Sequence, residues 1–300
     1  MTLQVFDTET ENFFECIIPN KTLNLRGMSQ IFMENKLFIF GSHTEASIDS
    51  LINCKNNDQN QLLRKATNDK NSFSSSFIYS INILSLPLKI NYEVNSSFIH
   101  FYPTMAILRN ELIIAIGGYG SRKCEYYNQT SKKWKELPEL PEERFGCSAV
   151  CDNTSNCIYC FGGYNSGYKK NCVSIFKLNI NNAIKWDTLI VIDNSEKLGR
   201  HFSCVIKRDN GHWLIIGGNN DNGKATDNII DVNVLNSRRI EVKDGGFKEM
   251  NNNIMFENLR LGCENLNGDM YLFDDFESNN VYKIGTDITS IIKLPENIKY

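Results

Sequence analysis

An all-β repeat protein built as a propeller is the fold class this sequence predicts, and two observations carry the prediction. Apolar runs stop at small-residue corners about every 45–55 residues, a period at which propellers are the first architecture to consider. Residues 37–40 meet Gly41-Ser42, residues 112–116 meet Gly117-Gly118-Tyr119, residues 158–161 meet Gly162-Gly163-Tyr164, and residues 213–216 meet Gly217-Gly218-Asn219. A fifth run, residues 270–273, meets Asp274-Asp275 instead of glycines. Between these runs lie short strand-like segments with turn signals and no helical periodicity, the pattern of an all-β sheet protein.

Each repeat is expected to hold four strands. The first is moderately apolar and opened by arginine, as at Arg144-Phe145-Gly146-Cys147 and Arg200-His201-Phe202-Ser203. The second is the apolar run, too short for most helices and suited to a strand buried on both faces. The glycines after it permit positive φ or a close backbone approach. The third alternates, as in residues 172–178, and the fourth opens near an aromatic, as in residues 185–191. Residues 6–13 overlay residues 127–134 with the same aromatic spacing, so residues 1–19 read as the two outer strands of a half blade. Five full repeats plus this half blade predict six blades with one incomplete, closed by the C-terminal tail around 291–300 or by a partner's strand. Residues 43–76 are an insertion in the first full blade. The polar run 53–61 has too little apolar content to fold alone, so the insertion reads as a loop.

The chain has 300 residues, which one closed ring would use as a single domain, residues 1–300. Apolar content of 41% supports a large core, and a net charge of −3 argues against a general nucleic-acid binder. The N-terminus shows no basic segment followed by an apolar stretch, and no apolar run is long enough to span a membrane. The ten cysteines then read as reduced thiols in a cytoplasmic protein.

The best repeat carries Gly117-Gly118, Tyr126-Tyr127, Trp134 seven residues after Tyr127, and Leu137-Pro138. This arrangement resembles the Kelch repeat, and with the other glycine corners the resemblance covers nearly the whole chain. The third copy keeps Gly162-Gly163 and Trp186, with Phe176 in the tyrosine slot; the fourth keeps Gly217-Gly218 without the aromatics. The resemblance implies a Kelch β-propeller. It also implies a non-catalytic protein-interaction scaffold, of the kind found in a cytoskeletal or ciliary assembly. One alternative is the substrate-recognition subunit of a ubiquitin ligase, although no F-box or BTB domain fits in the chain. Another is a propeller enzyme of oxidase or sialic-acid-processing type.

Arg26, Arg144, Arg200 and Arg260 each begin an innermost strand, with Tyr102-Pro103 at that place in the second blade. In Kelch substrate receptors, arginines at this repeat position contact acidic peptides. The four are therefore the candidate partner-binding residues, with an acidic peptide segment as the expected partner, since arginine forks pair with carboxylates. The competing expectation is that they bind neighbouring blades or backbone carbonyls. Cys147 and Cys263 follow their arginines by three, where Ser29 and Ser203 stand elsewhere, and packing near the axis explains the small side chains. Cys157 and Cys160 have half the spacing of a zinc site, but three positions apart on a strand they face opposite ways. Of the four histidines, only His100 and His201 could share one mouth of the ring, and an oxidase-type copper site needs two histidines with two tyrosines. No motif for a cofactor, a metal or catalysis stands out.

Overall fold

The computed structural model describes residues 2–7, 12–17, 28–41, 76–85, 88–207, 212–224, 226, 229–244, 261–264, 270–273, 280–284 and 289–293. A hairpin of β1 (Thr2–Asp7) and β2 (Asn12–Ile17) comes first, in a register that sets Phe6 opposite Phe13. Four-stranded antiparallel sheets then follow in chain order. The first blade holds β3 (Met28–Met33), β4 (Lys36–Gly41), β5 (Phe77–Asn82) and β6 (Ile90–Asn95). The second holds β7 (Thr104–Leu108), β8 (Leu112–Ile116), β9 (Cys124–Asn128) and β10 (Lys133–Leu137).

The third blade is more elaborate. Between β11 (Ser148–Asp152), β12 (Cys157–Phe161) and β15 (Phe176–Asn179) it inserts a hairpin, β13 (Tyr164–Asn165) with β14 (Lys170–Asn171). The single fourth strand expected at 185–191 is divided. Its first part, β16 (Asp187–Thr188), pairs with β15. Its second part, β17 (Ile190–Ile192), crosses to the next blade. There it runs parallel to β21 (Arg239–Asp244), beyond β18 (Cys204–Lys207), β19 (His212–Ile216) and β20 (Ile229–Val234). Leu189, buried between the two parts, anchors the crossing in the core between blades three and four. The fifth sheet is β22 (Leu261–Glu264), β23 (Met270–Phe273), β24 (Asn280–Ile284) and β25 (Thr289–Lys293). Residues 291–293 therefore belong to the outer strand of this sheet and do not form a free closing tail; residues 294–300 lie outside the described residues. So does the expected loop, apart from Ser76, which is buried and bonded to Ser96 and the His100 carbonyl.

The first strands lie side by side in chain order, β3 by β7, β7 by β11, β11 by β18 and β18 by β22. This is a propeller-like arrangement. Register makes the repeats equivalent: Phe40, Ile116, Phe161 and Ile216 pair with Ser29, Thr104, Ser148 and Cys204, and all four apolar residues are buried. The second strands β8 and β12 are apolar throughout because each faces two neighbours. On β8, Ile113 and Ala115 join Phe38, Phe40 and Tyr127 between blades one and two. Leu112, Ile114 and Ile116 point the other way, toward Ile158, Cys160 and Phe176 of blade three. On β12, Cys157 and Cys160 likewise enter different cores.

The innermost strands are also stitched by hydroxyls. Ser29 Oγ donates to the carbonyl of Pro103, Thr104 Oγ1 to that of Cys147 (2.7 Å), and Ser148 Oγ to that of Ser203 (2.6 Å). Ser29 is thus the counterpart of Thr104 and Ser148, one register step from the Cys147 position at which the sequence comparison set it. Among the described residues no helix is long and apolar enough to cross a membrane.

Candidate functional site

The geometry of the site begins at the glycine corners. Gly162 has φ +56°, and a Cβ there would lie 2.5 Å from the Arg200 carbonyl, because the next blade's chain passes directly over the corner. The same carbonyl accepts from the N–H of Gly163 at 2.8 Å, and the Arg144 carbonyl accepts from Gly118 at 3.0 Å.

The arginine side chains turn back into their own blades. Arg144 Nη1 donates to the Gly162 carbonyl (2.9 Å) and the Ser174 carbonyl (3.1 Å). Its Nη2 donates to Glu142 (2.6 Å) and Ser174 Oγ (2.7 Å), and the guanidinium lies 4.2 Å from the Phe176 ring centroid. Arg200 donates from Nη1 to the Gly217 carbonyl (3.0 Å) and from Nε to Lys197 (2.9 Å). Both are buried, Arg144 at 0% exposure and Arg200 at 3%. The donors of Arg144 and Arg200 are thus directed mainly at main-chain carbonyls, those of Gly162 and Ser174 and those of Gly217 and Lys197. Arg26 and Arg260 lie outside the described residues.

In the second blade the residue at this place is His100, not Tyr102. Its Nδ1 lies 2.7 Å from the Gly117 carbonyl, which can only accept, so Nδ1 carries the proton. Its Nε2 faces Glu125 at 3.0 Å, with both side chains fully buried. Glu125 also accepts from the N–H groups of Ser97 and Phe98.

The residues next to these capping side chains are exposed in part and come together. Phe145 and Tyr164 exchange two backbone hydrogen bonds, as do His201 and Asn219, while Tyr119 donates to the Phe101 carbonyl. Blades two, three and four thus present the residue after the cap beside the residue after the glycine pair. One position further on, Tyr102, Gly146 and Phe202 hold φ of 55°, 58° and 55°. A Cβ on Gly146 would lie 2.8 Å from the Phe202 ring, so only glycine leaves room for that ring.

The result is a half-buried aromatic mouth. Tyr119 and Phe145 have centroids 5.1 Å apart, Phe145 and Tyr164 5.6 Å, Tyr164 and His201 5.4 Å, His201 and Phe202 5.1 Å, and Tyr102 and Phe202 6.2 Å. Asn171 at the end of the inserted hairpin steers His201. Its amide nitrogen donates to the carbonyls of Gly199 and Asn219, so its oxygen faces His201 Nδ1 at 2.8 Å and receives that proton. Burial lowers the His201 pKa, opposed in part by Asp221, and the neutral ring keeps Nε2 as a lone-pair nitrogen. Burial first, then the charge of Glu143, raises the Tyr119 pKa and keeps it a neutral phenol.

This architecture is similar to a solved structure titled "Structure of YjhT", a propeller protein, with a TM-score of 0.60 and 15% sequence identity. The match covers 81% of this chain and 75% of that one, and 461 solved chains match in all. At that identity the likeness shows the fold alone. No family model and no curated protein matches the chain.

The aromatic mouth was not singled out from sequence, although its signal was present as the tyrosines directly after Gly117-Gly118 and Gly162-Gly163. His100 and His201, expected at one mouth, are separated by depth: His100 is sealed under the Gly117 corner while His201 lines the mouth. Among the described residues no three His, Cys, Asp or Glu side chains converge as a metal site.

Proposed function

We propose that the protein is a Kelch-type propeller acting as a non-catalytic binding scaffold, whose partner docks on the mouth lined by Tyr102, Tyr119, Phe145, Tyr164, His201 and Phe202. The observation that carries this reading is the left-handed backbone at Tyr102 and Phe202. A bulky side chain there costs roughly 1–2 kcal/mol, and such strain clusters where ligands are held. The strain here holds two rings toward the mouth, where glycine serves in the equivalent place of the third blade. The chemistry of the mouth also favours binding over catalysis. A phenol held neutral is a poor nucleophile, and a paired-histidine site of oxidase type would need His100 beside His201.

The test exploits the natural Gly146. Changing Phe202→Gly and Tyr102→Gly removes two rings while relieving the backbone, so the fold should survive with its melting temperature nearly unchanged. Proteins captured from the native cell by the unaltered chain should fall at least about tenfold with the double variant, as expected for lost aromatic anchors. Capture that is unchanged would remove the mouth as the docking surface.

A further inference from the structure

The inserted hairpin fixes one nitrogen of the mouth as an acceptor. Asn171, buried on β14, donates its two amide protons to the carbonyls of Gly199 (3.0 Å) and Asn219 (3.1 Å). Its backbone N–H is held by Asp221 Oδ1 at 2.6 Å. The amide oxygen therefore faces His201 Nδ1 at 2.8 Å, the imidazole proton sits there, and Nε2 carries a lone pair. Among the described residues none donates a hydrogen bond to that nitrogen. The side-chain nitrogens that lack a partner and are sealed from solvent are, among the same residues, Trp134 Nε1, Arg144 Nε and Trp213 Nε1. His201 Nε2 is not one of them: the ring is half-buried and this end of it reaches solvent.

Apolar planes stand beside it. The His201 ring packs against Phe202 (5.1 Å between centroids), Tyr164 (5.4 Å) and Phe145 (6.3 Å), and Phe145 packs against Phe202 (6.0 Å). Asp221, in the loop after β19, is the charge that acts on His201, and burial outweighs it, so the ring stays neutral. A group that docks here displaces water from the rings and must answer Nε2, since a buried acceptor without a donor costs about 1–3 kcal/mol. A carboxylate brings no donor. A hydroxyl brings a donor with lone pairs that ring carbons cannot meet. The indole of tryptophan is a flat apolar body whose N–H only donates.

Resting on the mouth as docking surface, we propose that Phe145, Tyr164, His201 and Phe202 form a receptor for a tryptophan side chain of the partner, with the indole N–H donating to His201 Nε2.

The experiment titrates the full chain with N-acetyl-tryptophan amide and with N-acetyl-benzothienylalanine amide, in which sulfur replaces the indole N–H at nearly equal size, read by calorimetry. The tryptophan probe should bind about tenfold more tightly. Protonated His201 cannot accept, so the preference should fall with pH in step with the His201 ring-proton resonance followed by NMR in the same samples. His201→Phe keeps a ring without the nitrogen and should bind the two probes equally; the isostere and pH comparisons use the unaltered chain and stand if that variant is unstable. Equal binding of the two probes, a preference that ignores the His201 titration, or no detectable binding of the tryptophan probe overturns the tryptophan receptor. If partner capture still falls in the Phe202→Gly and Tyr102→Gly double variant, the mouth remains the docking surface and only the anchor is wrong. If capture is also indifferent to that variant, both readings fail.

Discussion

The second and third blades meet one requirement with different chemistry. In both, the carbonyl that ends the apolar second strand, at Gly117 or Gly162, is buried and needs a donor. In blade three Arg144 supplies it and also holds Ser174 and Glu142. In blade two His100 supplies it and leans on Glu125, which gathers the N–H groups of Ser97 and Phe98. The position therefore calls for a long donor backed by a carboxylate, and not for arginine as such. The next residue along, Phe101, Phe145 or His201, is only half-buried, and its backbone pairs with the residue after the glycine corner.

The comparison breaks if capping is not what these side chains do. Replacing Arg144→Leu removes the donor to the buried Gly162 carbonyl and the part-buried Ser174 carbonyl, and the ion pair with Glu142. A loss of about 3 kcal/mol is expected, measured as a lower denaturation midpoint. His100→Leu should cost a comparable amount, because it strands Glu125. A neutral result at either position would show that the two caps are not equivalent. A smaller effect is expected where the corner itself is changed. Gly162→Ala adds a Cβ 2.5 Å from the Arg200 carbonyl at a positive φ, and should cost about 2 kcal/mol by the same measurement. The smallest effect separates His201 from His100. The folded-state pKa of His201 lies below its unfolded value of about 6.5. The unfolded chain therefore binds more protons just below that pH, and stability should fall as pH drops from 6.5 through the folded pKa. His201→Asn should flatten that part of the pH–stability curve, and an unchanged slope would assign it to other groups.

The fold was legible because the second strands advertise themselves. A run such as 112–116 is apolar at every position only when both faces are covered, and its glycine stop marks where the next blade crosses. The interior of the repeat was less legible. Matching arginine to arginine hid His100, since hydrogen-bonding reach, which sets the position, is not visible in residue type. Register, which moved Ser29 one step, is fixed by pairing with Phe40 across a turn. The divided strand at 187–192 depends on a contact with β21, nearly fifty residues later. The mouth was written in the two Gly-Gly-Tyr strings, but only assembly of neighbouring blades shows that their rings converge and that Glu143 sits among them.

The strand β17 also constrains how such a protein can change over generations. Propeller repeats are gained and lost as modules when each touches only its neighbours through side chains. Here the third module ends inside the hydrogen-bonded sheet of the fourth, with Ile190, Val191 and Ile192 matched to Arg239, Ile240 and Glu241. A recombination breakpoint between them would leave an apolar strand without a sheet and a sheet without its edge. Keeping blades three and four together therefore also keeps Phe145 and Tyr164 in the company of His201.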